Sequence, residues 1–192
     1  MSQKFAVIGN GIAAVEAIRM MRLHNYQDEI HLFSNETWPA YNPMLTTYYA
    51  AGKMDFEAFF PCGSNMDFYH QHHVNLHLGS PVMQLDVQKQ KITNESGYEL
   101  QYDKCLIASG ASCFLPPIEG IKSKKVLTVR TIDDSLALKN ALQEKPDKVL
   151  VVGASMTGIK IVELFLNAGS DVCLADQAHH IFPLAAHPAC AE

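Results

Sequence analysis

Two glycine-bearing turns hold the residues whose types and spacing point most directly to chemistry. The first reads Gly9-Asn10-Gly11-Ile12-Ala13-Ala14, the form G-x-G-x-x-A. The second reads Gly153-Ala154-Ser155-Met156-Thr157-Gly158, a G-x-S-x-x-G variant. In the first, Gly9 permits a tight exit from a strand, and Gly11 presents no Cβ to a diphosphate approaching the backbone. Ala14 still allows the helix to pack closely on the strand. The free N–H groups at the start of that helix, together with its dipole, favour an anion. Glu36 lies just past the next apolar run, where a carboxylate can accept hydrogen bonds from both hydroxyls of a ribose. Turn, context and acid together imply a nucleotide site.

The second turn repeats the scheme with one change. Ser155 replaces the central glycine, so the backbone is less approachable, but its hydroxyl can donate to a phosphate oxygen. Asp176 ends the following strand, where a carboxylate accepts from a ribose 2′-hydroxyl and repels a 2′-phosphate. Gln177 and Ala178 come next, with no Arg or Lys to receive that phosphate. The pattern selects NADH over NADPH, although a turn of this shape that binds nothing is also compatible with it.

Other reactive residues argue less. His70, His72, His73 and His77 cluster, as do His179 and His180, but neither group has zinc-ligand spacing or cysteine partners. They are expected to be solvated or capping residues, and no metal site is expected. The five cysteines, Cys62, Cys105, Cys113, Cys173 and Cys190, include no C-x-x-C pair. Reduced thiols are expected, with Cys105 and Cys173 as inert core residues inside apolar strands. Tyr41, Tyr48, Tyr49 and Trp38 could line a pocket or belong to the core.

The elements that must position these residues follow from periodicity. Lys4 to Ile8 and Glu29 to Phe33 read as buried parallel strands, joined by a helix over Ile12 to Leu23. Trp38 to Pro43 reads as a loop and Met44 to Ala51 as a short helix. A further short helix is expected over Met66 to Gln71. Val74 to Leu78, Val82 to Val87, Lys91 to Asn94 and Tyr98 to Gln101 read as short strands of a small antiparallel sheet, the last two forming a hairpin. Lys104 to Ala108 is another buried strand and Val126 to Val129 a short one. Asp133 or Asp134 caps a helix running to Glu144. The polar, proline-containing Lys145-Pro146-Asp147-Lys148 marks the expected boundary between domains 1–145 and 146–192. The fold class is α/β: a Rossmann-like parallel sheet with a small antiparallel sheet, then the first β-α-β unit of a second Rossmann-like domain.

Composition excludes several classes. The chain has 192 residues, is 48% apolar and 18% charged, and carries a formal charge of -5. That charge argues against nucleic-acid or anionic-membrane partners. No apolar run is long enough to span a bilayer, and the N-terminus lacks a signal-peptide pattern, so a cytoplasmic location is expected.

These features resemble the FAD-dependent pyridine nucleotide–disulfide oxidoreductase superfamily, along the whole sequence. The branch it is most similar to is that of the single-FAD NADH reductases serving rubredoxin, ferredoxin or nitrite reductase modules. Tyr41-Asn42-Pro43-Met44-Leu45 is similar to that branch's aromatic-then-proline segment. Ala108-Ser109-Gly110-Ala111 resembles its A-T-G-A crossover, and Val129-Arg130-Thr131-Ile132-Asp133-Asp134 its arginine-threonine segment. The resemblance implies that Gly9, Gly11, Ala14, Glu36, Val82, Ala108, Gly110 and Arg130 contact FAD. Thr47 stands where the branch often places a basic residue near the flavin. Gly153, Ser155, Gly158 and Asp176 would contact NADH. The implied activity is hydride transfer from NADH to FAD, with electrons passed to an acceptor protein or small molecule.

The sequence also departs from the family. It lacks the cysteine pair or single cysteine of the disulfide and thiol branches, which excludes disulfide reduction. It also lacks the returning segment, with its Gly-Asp motif, that completes the family's FAD domain. The expectation is therefore a C-terminally truncated reductase, with weakly held flavin and a tendency to self-associate. The alternatives are one half of a split reductase, completed by a second polypeptide, and a non-catalytic nucleotide-binding fragment.

Overall fold

The computed structural model describes residues 2–182, 185–187 and 189. Cys190 lies outside them. In chain order the elements are β1 (Lys4–Ile8), α1 (Ile12–Leu23), β2 (Glu29–Phe33), α2 (Thr46–Ala50), α3 (Asp67–Gln71), β3 (Val74–His77), β4 (Val82–Asp86), β5 (Lys91–Asn94), β6 (Glu99–Gln101), β7 (Lys104–Ile107), α4 (Ile132–Glu144), β8 (Lys148–Val152), α5 (Met156–Ala168) and β9 (Asp171–Ala175). Short 3-10 turns cover Pro43–Leu45 and Phe56–Phe59. The chain forms two compact units, Met1–Asn42 with Glu57–Ala111, and Pro43–Phe56 with Ser112–Glu192.

The first unit is built on a parallel sheet of order β3-β2-β1-β7. Ala14, Val15 and Ile18 form the buried face of α1 and pack in one cluster with Val7, Ile30 and Leu32. Burying Val15 and Ile18 contributes about 1.5–3 kcal/mol each. Phe68 and Tyr69 of α3 join the same cluster. A second cluster joins Ala6 and Phe33 to Ile92 and Leu100 of the antiparallel sheet β4-β5-β6 and to Tyr102 just after β6. The unit is thus layered: helices, parallel sheet, antiparallel sheet.

In the second unit β8 and β9 pair in parallel, with Lys148 opposite Asp171 and Val152 opposite Ala175. Helix α5 connects them and ends at Gly169, whose φ of 94° gives the left-handed cap. Leu138, Val151, Ile161, Leu164, Phe165 and Ala50 form its core. The Ser135 hydroxyl on α4 donates to the Thr46 carbonyl at 2.6 Å, tying α4 to α2.

Several expectations are corrected. Val74–His77 does not belong to the small antiparallel sheet but pairs in parallel with β2, Ile30 opposite Val74. Residues 126–129 form no strand. The Val126 N–H closes the preceding turn on the Ser123 carbonyl, the stretch itself is irregular, and the Thr128 hydroxyl donates to Asp134. The cap of α4 is Thr131, not Asp133 or Asp134. Its hydroxyl accepts the Asp134 N–H while the Asp134 carboxylate accepts the Thr131 N–H, a reciprocal capping box. Among the described residues β7 pairs with β1 alone, and Ile107 is 62% exposed rather than buried.

Candidate functional site

The first glycine turn leaves β1 at Gly9, whose φ of 109° suits glycine. Its N–H donates to the Phe33 carbonyl at the end of β2 at 2.8 Å. A Cβ on Gly9 would lie 2.1 Å from the Ala108 carbonyl oxygen, so this close approach also requires glycine. Gly11 differs: its backbone is extended, and an added Cβ would meet nothing within 4 Å. Neither strain nor packing demands glycine there. Its missing side chain leaves the N-terminus of α1 open, and that terminus has no side-chain cap and no acidic residue in its first turn. Ala14 is fully buried.

Beside this turn lies a cleft of about 190 Å³, lined by Gly9, Phe33, Ser34, Pro81, Val82 and Ser109. Of the residues singled out from sequence, Gly9 and Val82 line this cleft together with Ser109 of the crossover, and Ala108 lies against Gly9; Gly110 does not line it. Gly110 has a φ of 69° and is exposed. Glu36 is half-buried beyond β2. The Tyr41 hydroxyl donates to its Oε2 at 2.8 Å and orients the carboxylate. Its backbone is fixed at both ends, by its N–H on Ser34 Oγ and by the Gly79 N–H on its carbonyl.

Two residues here escape sequence reading. Tyr69 donates its hydroxyl to Asn10 Oδ1 at 2.8 Å and accepts the Ala40 N–H at 2.8 Å. Asn10 Nδ2 donates to the Trp38 carbonyl at 3.2 Å. Asn10 occupies a free position of the glycine pattern, so its type carried no signal. A fully buried tyrosine beside a short helix is ordinary core until its hydroxyl partners are known.

His77 is half-buried rather than fully solvated. Its ring stacks on Phe33 at 4.3 Å and on Tyr98 at 5.2 Å, and its Nε2 lies 3.3 Å from His31 Nδ1. Burial first, and His31 second, hold its pKa below the ordinary histidine value. Among the described residues no group of three or more His, Cys, Asp or Glu is arranged to hold a metal ion. Cys62, Cys105, Cys113 and Cys173 are free thiols. Burial pushes the half-buried Cys105 thiol up. Cys173, expected in the core, is exposed: it lies opposite Leu150, which is 63% exposed on β8.

The second turn reproduces the backbone lock of the first. Gly153, with a φ of 106°, donates its N–H to the Ala175 carbonyl at 2.8 Å. A Cβ on Gly158 would sit 1.8 Å from the Gly153 carbonyl oxygen. Ser155 caps α5, its Oγ accepting the Gly158 N–H at 3.3 Å, and its hydroxyl proton remains available for donation. The Asp176 carboxylate accepts the Ala154 N–H at 2.6 Å and the Ala178 N–H at 2.7 Å. These backbone donors hold it below the usual carboxylate range. Thr47, buried in α2, and exposed Arg130 belong to this unit. The Asp134 carboxylate fixes the backbone around Arg130, accepting the Arg130 N–H at 2.8 Å.

The family model for pyridine nucleotide-disulphide oxidoreductases matches residues 3–192. The chain belongs to that family. Its members use FAD and NAD(H). The chain is 31% identical, over 93% of its length, to the assimilatory nitrate reductase electron transfer subunit of Bacillus subtilis, and covers 22% of that protein. It is 30% identical, over 94% of its length, to the nitric oxide reductase FlRd-NAD(+) reductase of Aliivibrio fischeri, and covers 47% of it. The chain thus spans less than half the length of these relatives. The fold matches the ferredoxin reductase for the CYP199A2 system from Rhodopseudomonas palustris with a TM-score of 0.89. That match is at 20% identity and covers 99% of this chain and 46% of that one. The resemblance read from the motifs and the α/β fold class both hold. No helix of the described residues is long and apolar enough to cross a membrane.

Proposed function

We propose that this chain is the nucleotide-binding part of an FAD-dependent NADH oxidoreductase. The observation that carries the reading is the open N-terminus of α1 at Gly11, beside the cleft lined by Gly9 and Val82. There the first N–H groups of α1 receive the diphosphate of FAD, and Glu36, held by Tyr41, receives its ribose. Ala14 sets the distance of the helix from the sheet. Val82, Ala108 and Gly110 contact the same cofactor, and the family resemblance alone adds Thr47 and Arg130. In the second turn Gly153 and Gly158 shape the backbone, Ser155 donates to a phosphate, and Asp176 faces the ribose of NADH. The chemistry supplied by the bound cofactors is hydride transfer from NADH to FAD and electron delivery to an acceptor protein or small molecule.

The purified chain tests this directly. A visible flavin spectrum that bleaches on addition of NADH supports the reading. A colourless chain that fails to take up added FAD overturns it. We place the protein in the cytoplasm, on its composition. The open edge of β7, with Ile107 exposed, supports self-association or a second polypeptide on that edge. Sedimentation as a monomer at every concentration would exclude the self-association.

A further inference from the structure

We propose that Tyr69 is a positioning residue: its hydroxyl sets the spacing between the first glycine turn and the loop that carries Glu36. The inference rests on the FAD reading above and assigns the part that holds the ADP half of the cradle in shape. Tyr69 is 1% exposed, and its hydroxyl spends its proton on Asn10 Oδ1 and accepts the Ala40 N–H. Asn10 then reaches the same loop a second time, through Nδ2 on the Trp38 carbonyl. Ala40 is followed by Tyr41, whose hydroxyl grips the Glu36 carboxylate. One buried hydroxyl therefore links the turn expected to face the diphosphate with the acid expected to face the ribose. Asn10 sits inside the turn, between Gly9 and Gly11, yet its side chain is committed to the protein. Burial raises the Tyr69 pKa, so the group stays a neutral donor throughout the physiological range.

Removing the hydroxyl leaves the Ala40 N–H and Asn10 Oδ1 without the group that bridges them, so the turn and the loop are no longer held at this spacing. Tyr69→Phe keeps the ring that packs in the α1 and β2 core. The expected damage is thus to loop spacing rather than to the core.

The experiment measures FAD and ADP affinity of the full 192-residue chain, with apo-protein thermal unfolding alongside. Tyr69→Phe is expected to weaken FAD and ADP by the same factor, about tenfold. Asn10→Ala, which breaks the same bond from the half-buried end, is expected to match it. The double variant is expected to lose less than the sum of the two single losses, because the Tyr69–Asn10 bond is counted in both, while the Ala40 and Trp38 bonds are each lost in one only. A residue that only stabilises the fold would lower the unfolding temperature and leave the affinities of the folded chain unchanged. Normal FAD affinity in Tyr69→Phe, with binding abolished in Gly11→Val, overturns the inference and leaves the FAD reading standing. Independent, additive losses in the double variant also overturn it. A wild-type chain that binds neither FAD nor ADP removes both. If Tyr69→Phe does not fold, Asn10→Ala decides, and normal affinity there overturns the inference.

Discussion

Ala154 donates its backbone N–H to Asp176 Oδ2 across 2.6 Å, joining the second glycine turn to the residue that follows β9. The acid therefore has a structural task besides any ribose contact, and each of its oxygens still has acceptor capacity left. Two outcomes follow. The wild-type chain should reduce bound FAD faster with NADH than with NADPH, because Asp176 opposes a 2′-phosphate by charge. Asp176→Ala should narrow that preference and also loosen the turn, raising KM for both nucleotides. Stopped-flow reduction of the flavin checks this. Equal rates with the two nucleotides in the wild type would remove Asp176 from the specificity role.

The glycines of the two turns separate into structural and ligand-facing ones. Gly9→Ala and Gly158→Ala each place a Cβ against a backbone carbonyl, at 2.1 Å and 1.8 Å. Each should destabilise its unit by roughly 1–3 kcal/mol or more. Gly11→Val meets no neighbour within 4 Å. It should unfold near the wild-type midpoint and yet bind no FAD. Denaturant midpoints and flavin content measured on the same preparations separate the classes. Normal flavin content in Gly11→Val would sink the anchor assignment.

Asp134 collects three donors: the Thr128 hydroxyl at 2.9 Å and the N–H groups of Arg130 and Thr131 at 2.8 and 3.0 Å. Asp134→Ala should cost about 1–2 kcal/mol through loss of the capping box. It should also free the backbone at Arg130, which amide exchange reads directly. Unchanged exchange at residues 128–131 would show that the carboxylate does not hold that segment.

The glycine turns were legible because a strand, a sharp exit and a helix start constrain residue types locally. Gly9, Ala14 and Gly158 lie where the pattern puts them, for the steric reasons the pattern encodes. Periodicity also located β1, α1 and β2 within the chain. Pairing was less legible: Val74–His77 reads as a short strand equally well in either sheet, and only its alignment against Ile30 to Phe33 decides. The expectation of a core Cys173 fails because an apolar strand suggests burial on both sides, whereas one face of β8 and β9 is exposed. Here Leu150 and Val152 are 63% and 59% exposed. The Asn10–Tyr69 link was invisible because it joins residues far apart in sequence through side-chain atoms.

The His77 stack makes stability pH-dependent in a defined direction. In the folded chain His77 is packed against Phe33 and Tyr98 and faces His31, whose other ring nitrogen lies 3.2 Å from Glu29 Oε2. Burial and the neighbouring His31 lower its pKa from the ordinary 6.5. Above that value His77 is neutral in both folded and unfolded chains, and its packing contributes fully. As pH falls below it, the unfolded chain takes up a proton that the folded chain resists, so stability declines until the folded His77 itself protonates. The urea midpoint should therefore drop between about pH 7 and about pH 5. His77→Phe keeps an aromatic ring between Phe33 and Tyr98 and removes the titrating group, so the slope over that interval should flatten. The check is a pair of urea titrations at each pH, wild type against variant. An identical slope in the two proteins would assign the pH dependence to another group.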